Sequence, residues 1–214
     1  MPQTSSSKPP FLALFKDNLR RDPYSAYITL ATVEHHRGTV VPRARTVVFE
    51  GFVNTGDNDD GDVGIAIKCS SESNKHKSRA SDDVEIVHWF ERTRTQFRFR
   101  GAMTFDVDED SATRVKIWRE LSMGDRAQFF YPSDTLATSI RDDAFERQGT
   151  AFGASQGAVA ANFCVGVLTP LEVDVLDLNT CERTLWSRDS LSDKWTEVKG
   201  FAPPVVSVDA IQRA

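Results

Sequence analysis

Residues 96–101 read Gln-Phe-Arg-Phe-Arg-Gly, and this alternation of polar and aromatic side chains predicts a half-buried β-strand. Side chains two positions apart share one face of a strand, so Phe97 and Phe99 are expected on the opposite face from Arg98 and Arg100. By itself, the pattern favours a strand whose polar face is solvated. Two arginines on one face also leave open a dimer contact or an anion site, because guanidinium groups offer forked donors.

The segments around this stretch predict a mostly antiparallel β-domain with few, peripheral helices. Strands are predicted at residues 26–33, 40–53, 65–69, 84–91, 95–105, 162–173, 175–178 and 183–187. Helices are predicted from Pro10 to a stop at Pro23 and at residues 108–121. Residues 131–160 are predicted to be a long loop, with a helical piece at 142–147, of the kind that forms a lid or an interface arm. The fold class is therefore mainly β, a barrel or a sandwich, rather than a doubly wound sheet.

The chain is long enough for one sizeable core, and we expect a flexible N-terminus at residues 1–8 followed by a single domain at 9–214. The first residues lack the apolar core of a signal peptide, and no stretch approaches the roughly 18 apolar residues of a membrane span. Cys69, Cys164 and Cys181 have unrelated spacings, which predict neither a disulfide framework nor a zinc site and fit a reducing compartment. We therefore expect a cytoplasmic protein without a membrane segment.

The charge balance and the motifs exclude several classes of function. A formal net charge of −5 argues against a general nucleic-acid binder, which needs a basic surface for phosphates. The glycine-rich phosphate motifs GxGxxG and GxxxxGK[ST] are absent from the sequence, and no Ser/His/Asp or Cys/His arrangement predicts nucleophilic catalysis. His35 and His36 fall in a turn and His88 within an apolar strand, so structural roles are expected for all three. No metal site is expected.

Two segments could together bind one phosphate. Arg43, Arg45 and Val47 share a face of the second predicted strand, and a guanidinium beside buried strand residues needs an anionic partner. Residues 70–79 carry four hydroxyl groups and four side chains that can be cationic, which suits a small-anion site. The alternative for that segment is the solvated start of a helix. Because the two segments lie one hairpin apart, they could converge on the same phosphate.

Several segments resemble, in order and spacing, the FMN-site segments of the pyridoxamine 5′-phosphate oxidase superfamily, and together they look like its Alr4036-type branch. The segments are Arg45-Thr46-Val47-Val48-Phe49, Ser73-Asn74-Lys75, Arg94-Thr95-Gln96-Phe97-Arg98-Phe99-Arg100-Gly101, Trp118-Arg119-Glu120-Leu121-Ser122, Arg126-Ala127-Gln128-Phe129, Asn162-Phe163-Cys164 and Pro170-Leu171-Glu172-Val173-Asp174. The resemblance spans nearly the whole chain. It implies a six-stranded FMN-binding split β-barrel with helices at the barrel ends, two FMN sites at a homodimer interface, and flavin redox chemistry on a small-molecule substrate.

The resemblance also implies roles for individual residues. Arg45 and Lys75, helped by Ser73, would hold the FMN phosphate. The isoalloxazine ring would lie along the backbone of Thr46, Val47 and Val48 and accept a hydrogen bond from Gln96. Arg126 and Gln128 would approach the site from the second subunit, and Arg183 would contact the flavin or the substrate.

The chain departs from the family pattern at three positions. Glu50 stands where the oxidase itself has a lysine, and a carboxylate cannot stabilise an anion. Ser73-Asn74-Lys75 replaces a Ser-Arg-Lys triplet, and Leu176 replaces a tryptophan. The cofactor site is therefore better preserved than the site for a phosphorylated vitamer.

These residues predict an FMN-dependent oxidoreductase in which a small substrate transfers hydride to the flavin. Two alternatives stay open. One is a non-catalytic protein that stores, senses or shuttles FMN, and the other is a purely structural dimer without a cofactor.

Overall fold

The computed structural model describes residues 9–55, 63–73, 83–131, 142–189 and 191–198, and gives only the backbone of residues 142–146. Residues 1–8, predicted to be flexible, lie outside this range. Residues 56–62 and 74–82 also lie outside it. Lys75, expected to bind the FMN phosphate, is among the residues that are not described.

The described part of the chain contains β-strands and short helices in the order helix, five strands, helices, three strands. The strands are β1 (Tyr27–His36), β2 (Thr39–Asn54), β3 (Val63–Ser70), β4 (Asp83–Phe90), β5 (Thr95–Asp106), β6 (Phe163–Asp177), β7 (Glu182–Arg188) and β8 (Trp195–Glu197). The helices are α1 (Phe11–Arg21), α2 (Ala112–Glu120), α3 (Met123–Ala127), the 3₁₀ helix Gln128–Phe130 and α4 (Asp142–Ala154).

The strands form one antiparallel sheet that closes into a barrel. Their order is β3-β2-β1-β4-β5-β6-β7-β8, and β3 also pairs with β6, so the first six strands make a closed ring. Strands β7 and β8 extend the sheet beyond β6. The register between β1 and β4 is short, from Thr29 opposite Val87 to Ala31 opposite Glu85, whereas β1 pairs with β2 along its whole length. This architecture confirms the predicted split β-barrel.

Alternating side chains and helix α1 fill the barrel. Phe97 and Phe99 are fully buried, as the alternation at 96–101 predicts, and they face inward with Leu30 and Ile86 of the neighbouring strands. Helix α1 inserts Phe15 among these residues, with ring centroids 5.0 Å from Phe97 and 5.6 Å from Phe99. The predicted helix between Pro10 and Pro23 is thus confirmed, and it covers the core of the barrel.

The helices after β5 pack against the outside of the barrel, whereas the prediction placed all helices at its ends. The outward side chains of Ala66, Val165 and Val167 on β3 and β6 are apolar, so they require a cover. Ile117 and Trp118 of α2 provide it and form a second core. Helix α2 begins at Ala112 rather than at residue 108, because the Ser111 side chain accepts a hydrogen bond from the Arg114 amide and caps the helix there.

Two further predictions of secondary structure are corrected, and one short strand was not predicted. The helical piece predicted at 142–147 extends to Ala154. The strands predicted at 162–173 and 175–178 are one strand, β6, whose Pro170 pairs with Gly101 where β5 has an irregularity in register. The C-terminal tail contains the short strand β8, because Trp195 is buried in the core with its ring centroid 5.3 Å from that of Phe11.

Candidate functional site

The predicted flavin-contacting segment of β2 alternates between the inside and the outside of the barrel. Val47 lies opposite Ile28 and is buried with it in the core. Its neighbours Thr46 and Val48 therefore face outward. Contact of these residues with a flavin stays a prediction.

Gln96 and Arg183 lie in one row across neighbouring strands. Gln96 of β5 is opposite Leu176 of β6, and Leu176 is opposite Arg183 of β7. Adjacent strands are about 4.8 Å apart, so these two residues are separated by about 10 Å along the outer face. Arg183 donates two hydrogen bonds to Asp174, at 2.8 and 2.6 Å, which raise its pKa above the usual value. Arg183, which is predicted to contact the flavin or the substrate, is thus held in place by a carboxylate of its own chain.

The two arginines of the 96–101 stretch are also paired with carboxylates. Arg98 Nε donates to Glu85 at 3.1 Å and its Nη1 lies 3.6 Å from Asp174, while Arg100 Nη1 donates to Glu172 at 3.0 Å. Both side chains are more than a third exposed, so each pair contributes little to stability. This arrangement agrees with the solvated polar face that the alternation predicts.

Arg45 forms the centre of a charged cluster at the inward face of the β1–β2 hairpin. It lies opposite Leu30, and Arg43 lies opposite Thr32, so both arginines share the inward face as predicted. The Arg45 guanidinium donates to the Thr32 hydroxyl at 2.9 Å and pairs with the buried carboxylate of Glu34. A guanidinium carries five N–H donors, so these contacts leave room for a second acceptor.

Ser73 offers a buried hydroxyl near the same end of the β2–β3 pair. Phe49 lies opposite Ile67, Arg45 precedes Phe49 by four residues, and Ser71 follows Ile67 by four. The antiparallel register therefore brings the end of β3 and the turn after it towards Arg45. Within the described part of the chain, Ser73 Oγ is buried and has no hydrogen-bond partner. Buried hydroxyl groups are normally paired, so this atom fits an acceptor such as a phosphate oxygen.

The segment with Arg126 and Gln128 is attached to β3 by a half-buried ion cluster that sequence reasoning missed. Lys68 Nζ lies 2.7 Å from Asp125 of α3 and 3.0 Å from Glu50 of β2. Burial lowers the pKa of Lys68, but hydrogen bonds with Asp125 and Glu50 outweigh that effect and raise it above the usual value. The same hydrogen bond from Lys68 lowers the pKa of the Asp125 carboxyl.

The described site residues fall in three regions of the chain. The regions are the β2–β3 end with Arg45, Thr46, Val47, Val48 and Ser73, the outer face of β5–β7 with Gln96 and Arg183, and the α3 segment with Arg126 and Gln128. An open cleft of about 280 Å³, where β1 meets β4, contains none of them; Pro42, Glu85 and Arg100 are among its lining residues. Convergence of Arg45 with Lys75 stays a prediction because Lys75 is not described.

Comparison with known proteins identifies the domain. Residues 8–106 match the family model of the pyridoxamine 5′-phosphate oxidase FMN-binding domain, which covers the chain from α1 to β5. The match covers slightly less than half of the chain, and this segment resembles that family. FMN, the ligand named in the family description, is thereby confirmed as the cofactor of the domain, and the predicted resemblance to the superfamily is confirmed with it.

Individual proteins also resemble this chain in sequence or in fold. Pyridoxine/pyridoxamine 5′-phosphate oxidase 2 of Arabidopsis thaliana is 28% identical over 170 residues, which are 77% of this chain and 79% of the plant protein. A pyridoxamine 5′-phosphate oxidase-related, FMN-binding protein of Nostoc punctiforme has a crystal structure with a TM-score of 0.72 and 26% identity, covering 90% of this chain and 98% of that chain. PhzG from Burkholderia lata, crystallised with tetrahydrophenazine-1-carboxylic acid, shares the fold with a TM-score of 0.63 and 18% identity, covering 90% of this chain and 93% of its own.

Two other kinds of site were sought among the described residues. None of their helices is both long and apolar enough to cross a membrane. Over the same ranges, His, Cys, Asp and Glu side chains do not gather in a group of three or more that could hold a metal ion.

Proposed function

We propose that this protein is an FMN-dependent oxidoreductase, working in the cytoplasm as a homodimer, in which a small substrate transfers hydride to the flavin. The match of residues 8–106 to the FMN-binding domain model supports the cofactor. The observation that carries the proposal is the buried Ser73 hydroxyl at the Arg45 end of the β2–β3 pair, which has no hydrogen-bond partner among the described residues. FMN, when bound, supplies the redox chemistry, while the protein supplies orientation, electrostatics and exclusion of water.

In this proposal the phosphate of FMN binds to Arg45, Ser73 and Lys75. The isoalloxazine ring lies along the outward side of β2. Strand β5 is on the opposite side of the six-stranded ring, so the Gln96 that contacts this flavin comes from a second copy of the chain. Arg126 and Gln128 lie on the segment that the Lys68 cluster attaches to β3. In this proposal they complete the site of a second copy of the chain. The remaining proposed site residues are Thr46, Val47, Val48 and Arg183.

The substrate class is narrowed by the charges near Glu50. Glu50 replaces the lysine of the oxidase itself, and its carboxylate shares one ammonium group with Asp125. Two carboxylates and one ammonium leave this cluster with a net negative charge, which disfavours a phosphate ester. We therefore rank pyridoxamine or pyridoxine phosphate behind a small substrate without a phosphate.

A second candidate function is FMN binding without turnover. The pairing of Arg183 with Asp174 favours it, because the arginine expected to contact substrate is already neutralised within the chain. Such a protein would store, sense or carry FMN, and substrates would leave the bound flavin oxidised.

A flavin titration followed by anaerobic mixing tests the proposal. We expect the purified protein to quench FMN fluorescence and the Ser73→Ala variant to bind FMN about 10-fold more weakly, the effect of one hydrogen bond to a charged group. Thr39→Ala, which removes a hydroxyl from the exposed β1–β2 turn, is the matched control and should bind normally. Absence of FMN binding by the unaltered protein would overturn the proposal.

Turnover is tested separately with FMN-loaded protein under anaerobic conditions. The flavin absorption band should bleach with reduced nicotinamides or with a small oxidisable amine or alcohol, and less readily with pyridoxine 5′-phosphate. Bound flavin that no such compound bleaches would support storage or transport instead.

A further inference from the structure

The geometry points to a reversible disulfide between Cys69 and Cys164, formed when the protein meets a peroxide. Their spacing in the sequence predicts no disulfide, yet β3 and β6 place the two residues directly opposite each other. Both side chains are buried, and their sulfur atoms lie 3.1 Å apart without being joined in a disulfide. The inference concerns the thiols alone and does not depend on the proposed flavin chemistry.

The backbone at this pair already has the spacing that a disulfide needs. Residues directly opposite in antiparallel strands have Cα atoms about 4.5–5.5 Å apart, and disulfides form over about 4.4–6.8 Å. Cys69 follows Ile67 and Ile65 on the inward face of β3, and Cys164 shares that face with Leu168 of β6. The sulfur atoms need to approach by only about 1 Å, so neither strand has to slide.

The bond would close the barrel covalently. Strands β3 and β6 are the pair that completes the six-stranded ring, and next to the cysteines the Ser71 amide donates to the Asn162 carbonyl at 2.8 Å. The cysteines are 95 positions apart, and a cross-link over so long a loop strongly restricts the unfolded chain. We therefore expect the oxidised protein to melt about 10 °C higher than the reduced protein.

The chemistry balances with a peroxide as the oxidant. One thiolate attacks a peroxide oxygen, the O–O bond breaks, and a sulfenic acid forms with release of one water molecule. The second thiol then attacks the sulfenic sulfur, forms the S–S bond and releases the second water molecule. Two thiols have lost two electrons and two protons, and hydrogen peroxide has become two molecules of water. A small oxidant suits this pair because both sulfur atoms are buried.

The experiment uses the full chain with Cys181→Ser, since Cys181 is exposed and would form bonds between molecules. After full reduction, the protein is treated with hydrogen peroxide, unfolded, and assayed for free thiols and for a Cys69–Cys164 linked peptide by mass spectrometry. We expect both thiols to disappear, the linked peptide to form, and the melting temperature to rise, with all three changes reversed by dithiothreitol. Variants that also carry Cys69→Ser or Cys164→Ser should show no rise.

A parallel equilibration in mixtures of oxidised and reduced dithiothreitol separates slow access from unsuitable geometry. Formation of the linked peptide in either treatment supports the proposal. Two thiols that persist in both treatments, or oxidation to sulfinic acid without a cross-link, would overturn it.

Discussion

Lys68 and Asp125 join the barrel to helix α3 through a contact of 2.7 Å between Nζ and Oδ1. The Lys68 side chain is only 11% exposed, and Glu50 contacts the same ammonium group from β2. Removal of one member of a buried ion pair leaves the other charges unsatisfied, which costs more than the net value of the pair. This single lysine therefore holds three elements of the proposed site together.

We expect Lys68→Met to lower the free energy of unfolding by about 3 kcal/mol at neutral pH, measured by urea denaturation. Lys68→Arg keeps the positive charge and should lose much less. The lowered pKa of Asp125 means that its contribution is present above the ordinary aspartate pKa and is lost as the pH falls through the folded-state value. The raised pKa of Lys68 means that its contribution is lost only as the pH rises through that value. Equal stability of Lys68→Met and the unaltered protein at pH 7 would contradict the buried cluster.

Gly101 is expected to tolerate no side chain. A Cβ atom there would lie 2.0 Å from the Thr169 carbonyl oxygen and 2.9 Å from the Pro170 Cα, and neither backbone atom can move without disturbing β6. We predict that Gly101→Ala lowers the free energy of unfolding by about 3 kcal/mol. The matched control is Gly149→Ala in α4, where a Cβ meets nothing within 4 Å and should stabilise the helix by about 0.5–1 kcal/mol. Thermal melts of the two variants that shift alike would show the predicted contact to be wrong.

Much of the barrel could be predicted because each strand carries its own signal. The alternation at Phe97 and Phe99 assigns their faces without knowledge of the neighbours, and the structure buries both. The sequence predicts a break in β6 at residue 174, but the strand is continuous there because Asp174 lies opposite Arg98 of β5 and pairs with Arg183 of β7. Both contacts depend on the register of the neighbouring strands. Strand β8 is too short to show periodicity, and the burial of Trp195 is a tertiary effect.

The site was predictable only where one strand sufficed. The shared face of Arg43 and Arg45 follows from alternation, but their partner Glu34 depends on the register between β1 and β2. Every second residue of this strand shares one face, and on β1 these residues are Ile28, Leu30, Thr32 and Glu34. This spacing could have placed the Glu34 carboxylate on the inward face. The Lys68–Asp125 contact joins residues that are 57 positions apart in the sequence. No pattern in the sequence indicates this contact.

His88 should make the protein less stable in mild acid. Its ring is buried in the barrel, stacks on Phe90 and lies 2.7 Å from the Ser25 carbonyl oxygen through Nε2. Burial lowers the pKa of His88 from 6.5 to about 4.

Between these two pKa values the unfolded chain binds a proton that the folded protein does not, so stability falls as the pH drops below 6.5. From pH 7 to pH 5 this residue should cost about 2 kcal/mol of unfolding free energy. His88→Gln, which cannot titrate, should lose that part of the pH dependence in urea denaturation, while His36→Gln at the exposed end of β1 should retain it. Identical pH profiles for His88→Gln and the unaltered protein would contradict a neutral, buried imidazole.

The role of Arg45 in FMN binding must be separated from its pairing with Glu34. Arg45→Ala is expected to weaken FMN binding by about 1.5–3 kcal/mol, roughly 10- to 100-fold in Kd, because one charged contact to the phosphate is lost. The same substitution leaves the buried Glu34 carboxylate with Arg43, at 3.7 Å, as its remaining cation among the described residues, so the fold is weakened as well. The double variant Arg45→Ala, Glu34→Gln removes both charges and should recover stability but not FMN affinity. Glu34→Gln alone frees the guanidinium from its competing carboxylate, so FMN should bind at least as tightly as to the unaltered protein. Fluorescence titration with FMN distinguishes these outcomes, and a double variant that binds FMN normally would remove Arg45 from the proposed phosphate site.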